Sequence, residues 1–199
     1  ETGLFAIFAS SNEVFSKKPG FWPPVRKSYV IRNMNYWLMK SEPDVYSITD
    51  LKLDKISIWD GVRNYQARNF MRQMSVGDLV FFYHSNTKIP GIFGLMRVIE
   101  TNIADPTQFD LNSEYYDAKS QLDAPRWQTV KVEFVEEFAT IISLDELKEK
   151  FGGDEILVVR KGNRLSVMPI SEGAAEKILK IRYPAVETAA IQTKSAFAD

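Results

Sequence analysis

The sequence predicts an α+β fold built on a curled sheet of mixed or antiparallel strands. Three observations predict it: strand-like apolar runs of unequal length, short capped helices between them, and no internal repeat. Apolar residues make up 45% of the 199 positions, which is enough to bury a core.

The elements follow in chain order. Residues 1–33 carry Pro19, Gly20, Pro23 and Pro24 and five basic residues between Lys17 and Arg32, and read as a flexible N-terminal extension. Leu4–Ala9 is too short, and too bare of basic residues before it, to match a signal peptide. The compact domain is expected over 34–181, with 182–199 a tail. Asn35–Lys40 reads as a strand, stopped by Ser41-Glu42-Pro43 because proline has no N–H to donate. Ser47 to Asp50 reads as a capped helical turn. Ile56–Trp59 is a short strand before an Asp60-Gly61 turn.

Asn64–Met74 is the clearest helix, with Ala67, Phe70, Met71 and Met74 on one face. Leu79–Tyr83 is apolar on both faces, as a central strand is. Gly91–Val98 and Trp127–Val135 read as strands on either side of a long loop over 104–124. Long loops often carry function. Ser143 with Glu146 signals a helix to Lys150. Ile156–Val159 and Leu165–Val167 read as short strands, and Ser171–Ile181 as the closing helix.

Composition narrows the chemistry. There are no cysteines, which excludes a disulfide scaffold, a thiolate zinc site and a thiol nucleophile. One histidine, His84, is too few for a histidine-built zinc site, and no cofactor or metal is expected. The net charge of −1 is not that of a protein held to duplex DNA by overall charge. Nucleic-acid binding would need a local patch and a specific pocket. No apolar run is long enough to span a membrane.

Four clusters carry the polar chemistry. Trp59-Asp60-Gly61-Val62-Arg63-Asn64-Tyr65-Gln66-Ala67-Arg68-Asn69 joins a turn to a helix start. Asn64 offers a donor and an acceptor, and Trp59 and Tyr65 offer stacking faces. Equally, Asn64 can be a helix cap and Trp59 a core residue. Tyr83-His84-Ser85-Asn86 leaves the end of a strand, where a pocket rim or a hydrogen-bonded structural histidine both fit. Ser41 sits where proline ends the first strand. Lys161 and Arg164 flank a glycine turn and suit phosphate, as do Arg63, Arg68 and Arg72.

These clusters, met in order, carry a resemblance. "YWLMKSEP" at 36–43, "WDGVRNYQARN" at 59–69 and "GDLVFFYHSN" at 77–86 come first. "DPTQFD" at 105–110, "YYDAKS" at 115–120, "PRW" at 125–127 and "RLSVMP" at 164–169 follow. Together they resemble the EVE-domain family. The resemblance implies a PUA-like curled β-barrel with short flanking helices. It implies a non-enzymatic reader of a modified base in DNA, 5-methylcytosine or 5-hydroxymethylcytosine first. Ser41, Trp59, Asn64, Tyr65, Tyr83, His84 and Ser85 become candidates for the base pocket. Arg63, Arg68, Arg72, Lys161 and Arg164 become candidates for phosphate contact. It also implies a nuclease or other effector partner, no membrane partner, and a nuclear or bacterial cytoplasmic location.

A reader of this kind flips its base out of the duplex, here into a cage of Trp59 with Tyr65 or Tyr83. Three rivals stand beside it. They are a modified-RNA reader, a processing enzyme using His84, Ser85 and Asp60, and a small-molecule or protein-interaction module on the same fold.

Overall fold

The structure, a computed structural model, describes residues 34–183; the N-terminal extension and the tail from 184 onward lie outside them. Six strands form one mixed sheet. They are β1 (Tyr36–Ser41), β2 (Ile56–Ile58), β3 (Leu79–His84), β4 (Gly91–Ala104), β5 (Gln128–Ser143) and β6 (Val167–Ile170). Their order is β2-β5-β4-β3-β1-β6, and the β1–β3 pair alone is parallel. Four helices flank the sheet: α1 (Ile48–Asp54), α2 (Tyr65–Met71), α3 (Leu144–Lys150) and α4 (Glu172–Arg182).

This is the α+β class and the mixed sheet that the sequence predicts. The barrel is not closed by strand pairing, since β2 and β6 remain at opposite ends of the order. Curl comes from β4 and β5, whose long pairing shifts register at four places. Each shift inserts bulge geometry that bends and twists the ribbon. Gly94 sits where β4 crosses close to β5: a side chain there would place its Cβ 2.2 Å from the Glu136 carbonyl oxygen.

Two cores lie on the two faces of the sheet. Phe81, Tyr83, Leu38 and Met168 pack with Leu147 of α3 and Ile178 of α4. Val80, Phe82, Met39 and Trp59 pack with Leu51 of α1 and Ala67 and Met71 of α2. Alternation along β3 therefore sends Phe82 and Tyr83 to different cores. Buried Asp78 ties the start of β3 to β1. It accepts from the Trp37 indole at 2.8 Å, from the Asn35 N–H at 3.0 Å and from the Ser75 N–H at 2.9 Å.

Three expectations change. Ile156–Val159 is not a strand: Leu157–Val159 forms a 3₁₀ turn with local N–H to carbonyl bonds. A short apolar run has no period that separates the two outcomes, and here Ile156 and Val158 bury themselves from a turn. The final strand starts at Val167, not Leu165. The α4 helix runs to Arg182, and Arg182 and Tyr183 both bond to Glu136 on β5.

Candidate nucleic-acid interface

The α2 helix begins where Asn64 caps it, its Oδ1 accepting from the Ala67 N–H at 3.0 Å. Such a cap typically contributes about 1 kcal/mol. The amide nitrogen of Asn64 is left over, and it has no hydrogen-bond partner among the described residues. Asn64 and Gln66 line a cavity of about 390 Å³ whose other wall is the turn over 157–165. Arg160, Lys161 and Arg164 supply its charge. Among the described residues, none of these three cations has an ion-pair or hydrogen-bond partner for its side chain, and no carboxylate lines the cavity.

The turn is held from within. Asn163 donates through Nδ2 to the Leu157 carbonyl at 2.6 Å and accepts from the Leu165 N–H at 3.0 Å. Gly162 takes φ +79°, a left-handed conformation that costs glycine little. The cations thus project from a fixed backbone with no internal partner to neutralise them. A concave basic wall of this kind concentrates the field on an anion.

The far flank of α2 carries a different surface. Tyr65, 49% exposed, stacks on Trp127 with ring centroids 4.9 Å apart and planes 21° from parallel. The Arg68 guanidinium lies 4.8 Å from the Tyr65 ring and 5.7 Å from the Trp127 ring. Arg126 reaches the Tyr65 hydroxyl and pairs with Asp117 at 3.0 Å. Asp117 also accepts from the Trp127 indole at 2.7 Å.

Arg63 is turned inward. It pairs with the buried Asp105 at 2.7 Å, donates to the Tyr115 carbonyl at 2.7 Å and to the Thr107 hydroxyl at 2.8 Å. Its guanidinium also lies against the Tyr115 and Trp127 rings. Asp105 further accepts from the Gly61 N–H at 3.0 Å. Arg63 therefore pins the long loop to the turn before α2, and its donors do not face solvent phosphate. This corrects its sequence-based placement among the phosphate contacts. Arg68 donates to the Arg126 carbonyl at 2.8 Å, and Arg72 to Gln128 at 2.8 Å; Arg72 is exposed.

The remaining pocket candidates do not meet Asn64 at the cavity. Trp59 is 7% exposed, edge-on to Phe82 at 5.3 Å. Tyr83 is buried in the opposite core, where burial, then Asp145, raises its phenol to about 12. Ser41 donates to the Tyr46 carbonyl at 2.7 Å, and Ser85 bonds back to the Ser41 carbonyl. No aromatic ring lines the cavity among the described residues. A cage of Trp59 with Tyr83 is not assembled, because the sheet separates them. Sequence reasoning reached Gln66 only as part of the 59–69 segment and did not single out Arg160. The run Arg160-Lys161-Gly162-Asn163-Arg164, three cations around a glycine, was the available signal.

His84 is 2% exposed, between Phe82 and Phe93, and not on a rim. Its Nε2 accepts from the Ile48 N–H at 3.3 Å, and its Nδ1 has no partner among the described residues. Burial lowers its pKa, against smaller opposing pulls from the Ser41 backbone and Asp50. The neutral ring belongs to the folded state. As pH falls below 6.5 the unfolded chain takes up a proton that the fold refuses, so stability drops until the folded pKa is reached. Urea unfolding should show stability falling as pH drops below 6.5. The His84→Gln variant should flatten that slope; an unchanged slope would mean the histidine titrates normally in the fold.

No helix among the described residues is long and apolar enough to cross a membrane. Residues 35–181 match the model of the EVE domain. Rat thymocyte nuclear protein 1 is 43% identical over 165 residues, covering 74% of this chain and 73% of that protein. A crystal structure of a Pseudomonas syringae protein aligns with TM-score 0.71 and 46% identity, covering 74% of this chain and 99% of that one. A crystal structure of human THYN1 in complex with 5-methylcytosine-containing DNA aligns with TM-score 0.70 and 41% identity, covering 74% and 97%.

Proposed function

The chain belongs to the EVE-domain family, and on that premise we propose that it is a non-enzymatic reader of modified cytosine in DNA. The observation that carries the reading is the cavity where the spare Asn64 amide faces three unneutralised cations. The related human THYN1 structure with 5-methylcytosine-containing DNA supports the same reading. The reading unit is residues 34–181, and it acts wherever the DNA lies, the nucleus in a eukaryotic cell.

The target base leaves the duplex stack at a cost of a few kcal/mol and enters the cavity. The cavity measures about 390 Å³ and is open to solvent, most of its lining residues being exposed. The Asn64 Nδ2 donates to an acceptor on the cytosine edge, while Oδ1 stays on its cap. Arg160, Lys161 and Arg164 hold the flanking phosphates. A buried methyl is worth roughly 1 kcal/mol, so preference for 5-methylcytosine is several-fold, not absolute. The non-enzymatic reading is supported by His84, whose Nε2 is taken by a backbone N–H and which is buried away from solvent.

The test is a titration of matched duplexes carrying cytosine, 5-methylcytosine or 5-hydroxymethylcytosine at one position, at fixed salt. Tighter binding to a modified duplex is expected. The Asn64→Ser variant keeps a capping oxygen but removes the amide donor and its reach, so it should weaken the preferred duplex about three- to tenfold without unfolding α2. Equal binding to all three duplexes would remove modified cytosine as the ligand, and matched modified RNA would be tried next.

A further inference from the structure

We infer that Tyr65 and Trp127 form a stacking platform for the nucleobase next to the one that is read, so that the recognised unit is at least a dinucleotide. The inference rests on the reading of a DNA strand at α2. It adds a second contact site on the other flank of the same helix.

Consecutive residues diverge here. Asn64 and Gln66 face the cationic cavity. Tyr65, between them, turns the other way and lies on Trp127 at 4.9 Å. A strand with its backbone along the cations of the cavity would cross the first turn of α2 and meet this ring next. Trp127 is nearly buried and is fixed through its indole by Asp117, so it acts as a rigid floor under the half-exposed tyrosine. Arg68 and Arg126 hold the tyrosine from the ring and from the hydroxyl. The ring therefore loses little freedom on binding. A preorganised aromatic with cations at its edge is what an unpaired or unstacked base selects. Flipping one base leaves its neighbour with an exposed face, and that neighbour needs a new stacking partner.

Stacking on a ring is sequence-tolerant, since every base has a π-face. The platform should therefore register the presence of a neighbouring base and not its identity. It should act on affinity for modified and unmodified duplexes alike.

The experiment is a two-by-two affinity cycle on the full chain. The protein is wild type or Tyr65→Ala. The duplex carries 5-methylcytosine with either an intact neighbour or an abasic neighbour, tested on each side. Tyr65→Ala should cost at least about fivefold on the intact duplex and nothing further on the duplex that lacks the stacking neighbour. The Tyr65→Phe variant should keep the coupling, because it keeps the ring. Additive losses would overturn the platform, as would equal losses for Phe and Ala. Coupling without any preference for 5-methylcytosine would sink the modified-base reading and leave the platform standing. No binding to any duplex would sink both.

Discussion

Arg63→Ala is expected to lower the stability of the protein by about 3–5 kcal/mol with no nucleic acid present. The reason is the state in which it leaves Asp105. That carboxylate is buried, and Arg63 is its one ion-pair partner among the described residues. Removing one member of a buried pair leaves the other charge with no opposite charge, only its hydrogen bonds from Gly61 and Thr107. The loss also frees the Tyr115 carbonyl and the Thr107 hydroxyl, so the long loop loses three anchors at once. Arg63→Lys should recover only part of the stability, since an ammonium cannot serve three acceptors set at the spacing of a planar fork. Urea unfolding of the three proteins checks this. An Arg63→Ala midpoint equal to wild type would mean that the inward geometry carries no weight, and a phosphate role would return.

Arg63 also shows where a sequence stops being informative. An arginine beside Asn64, at a turn before a helix, has the composition of a phosphate contact. What turns it inward is Asp105, about forty positions away, and nothing local announces that partner. The same holds for Trp59 and Tyr83. Their residue types fit a cage, yet strand alternation places them in different cores. That fact needs the register of β3, which periodicity alone does not supply in a strand buried on both faces. Local signals did transfer. Ser47 and Asp50 form the expected capping box, Ser143 and Ser171 cap α3 and α4, and Asn64 caps α2. These depend on three or four neighbouring residues, which the chain order brings together without help from tertiary structure.

The candidate site was legible in one of its parts for the same reason. Lys161 and Arg164 flank a glycine and were readable as a cationic turn. Their convergence with Asn64 depends on the packing of that turn against α2, a contact across about a hundred positions. Hydrogen bonding separates the cations into two classes. Arg63, Arg68 and Arg72 spend donors on protein oxygens, while Arg160, Lys161 and Arg164 have no protein partner among the described residues. Among the described residues only Arg63 of the six has its charge paired, with Asp105; Arg160, Lys161 and Arg164 are the ones whose side chains are wholly uncommitted.

That division sets the second large effect. A triple variant, Arg160→Gln, Lys161→Gln and Arg164→Gln, is expected to lose about 10²-fold in DNA affinity at low salt, from roughly 1 kcal/mol for each exposed cation. The plot of log affinity against log salt should also flatten, by about 0.9 for each phosphate contact removed, or about 2.7 for three. Thermal unfolding should stay within a degree or two of wild type, roughly the ±0.5 kcal/mol of an ordinary surface change, because none of the three side chains holds another part of the fold. The ratio of affinities for 5-methylcytosine and cytosine duplexes should survive, since phosphate contacts position a strand and carry no base information. The two large effects are thus expected to be opposite in kind. Arg63→Ala should damage the fold first and binding only as a consequence, whereas the triple variant should damage binding and spare the fold. A triple variant that keeps its affinity and its salt slope would place the DNA elsewhere on the molecule, and the cavity at α2 would lose its claim to be the site.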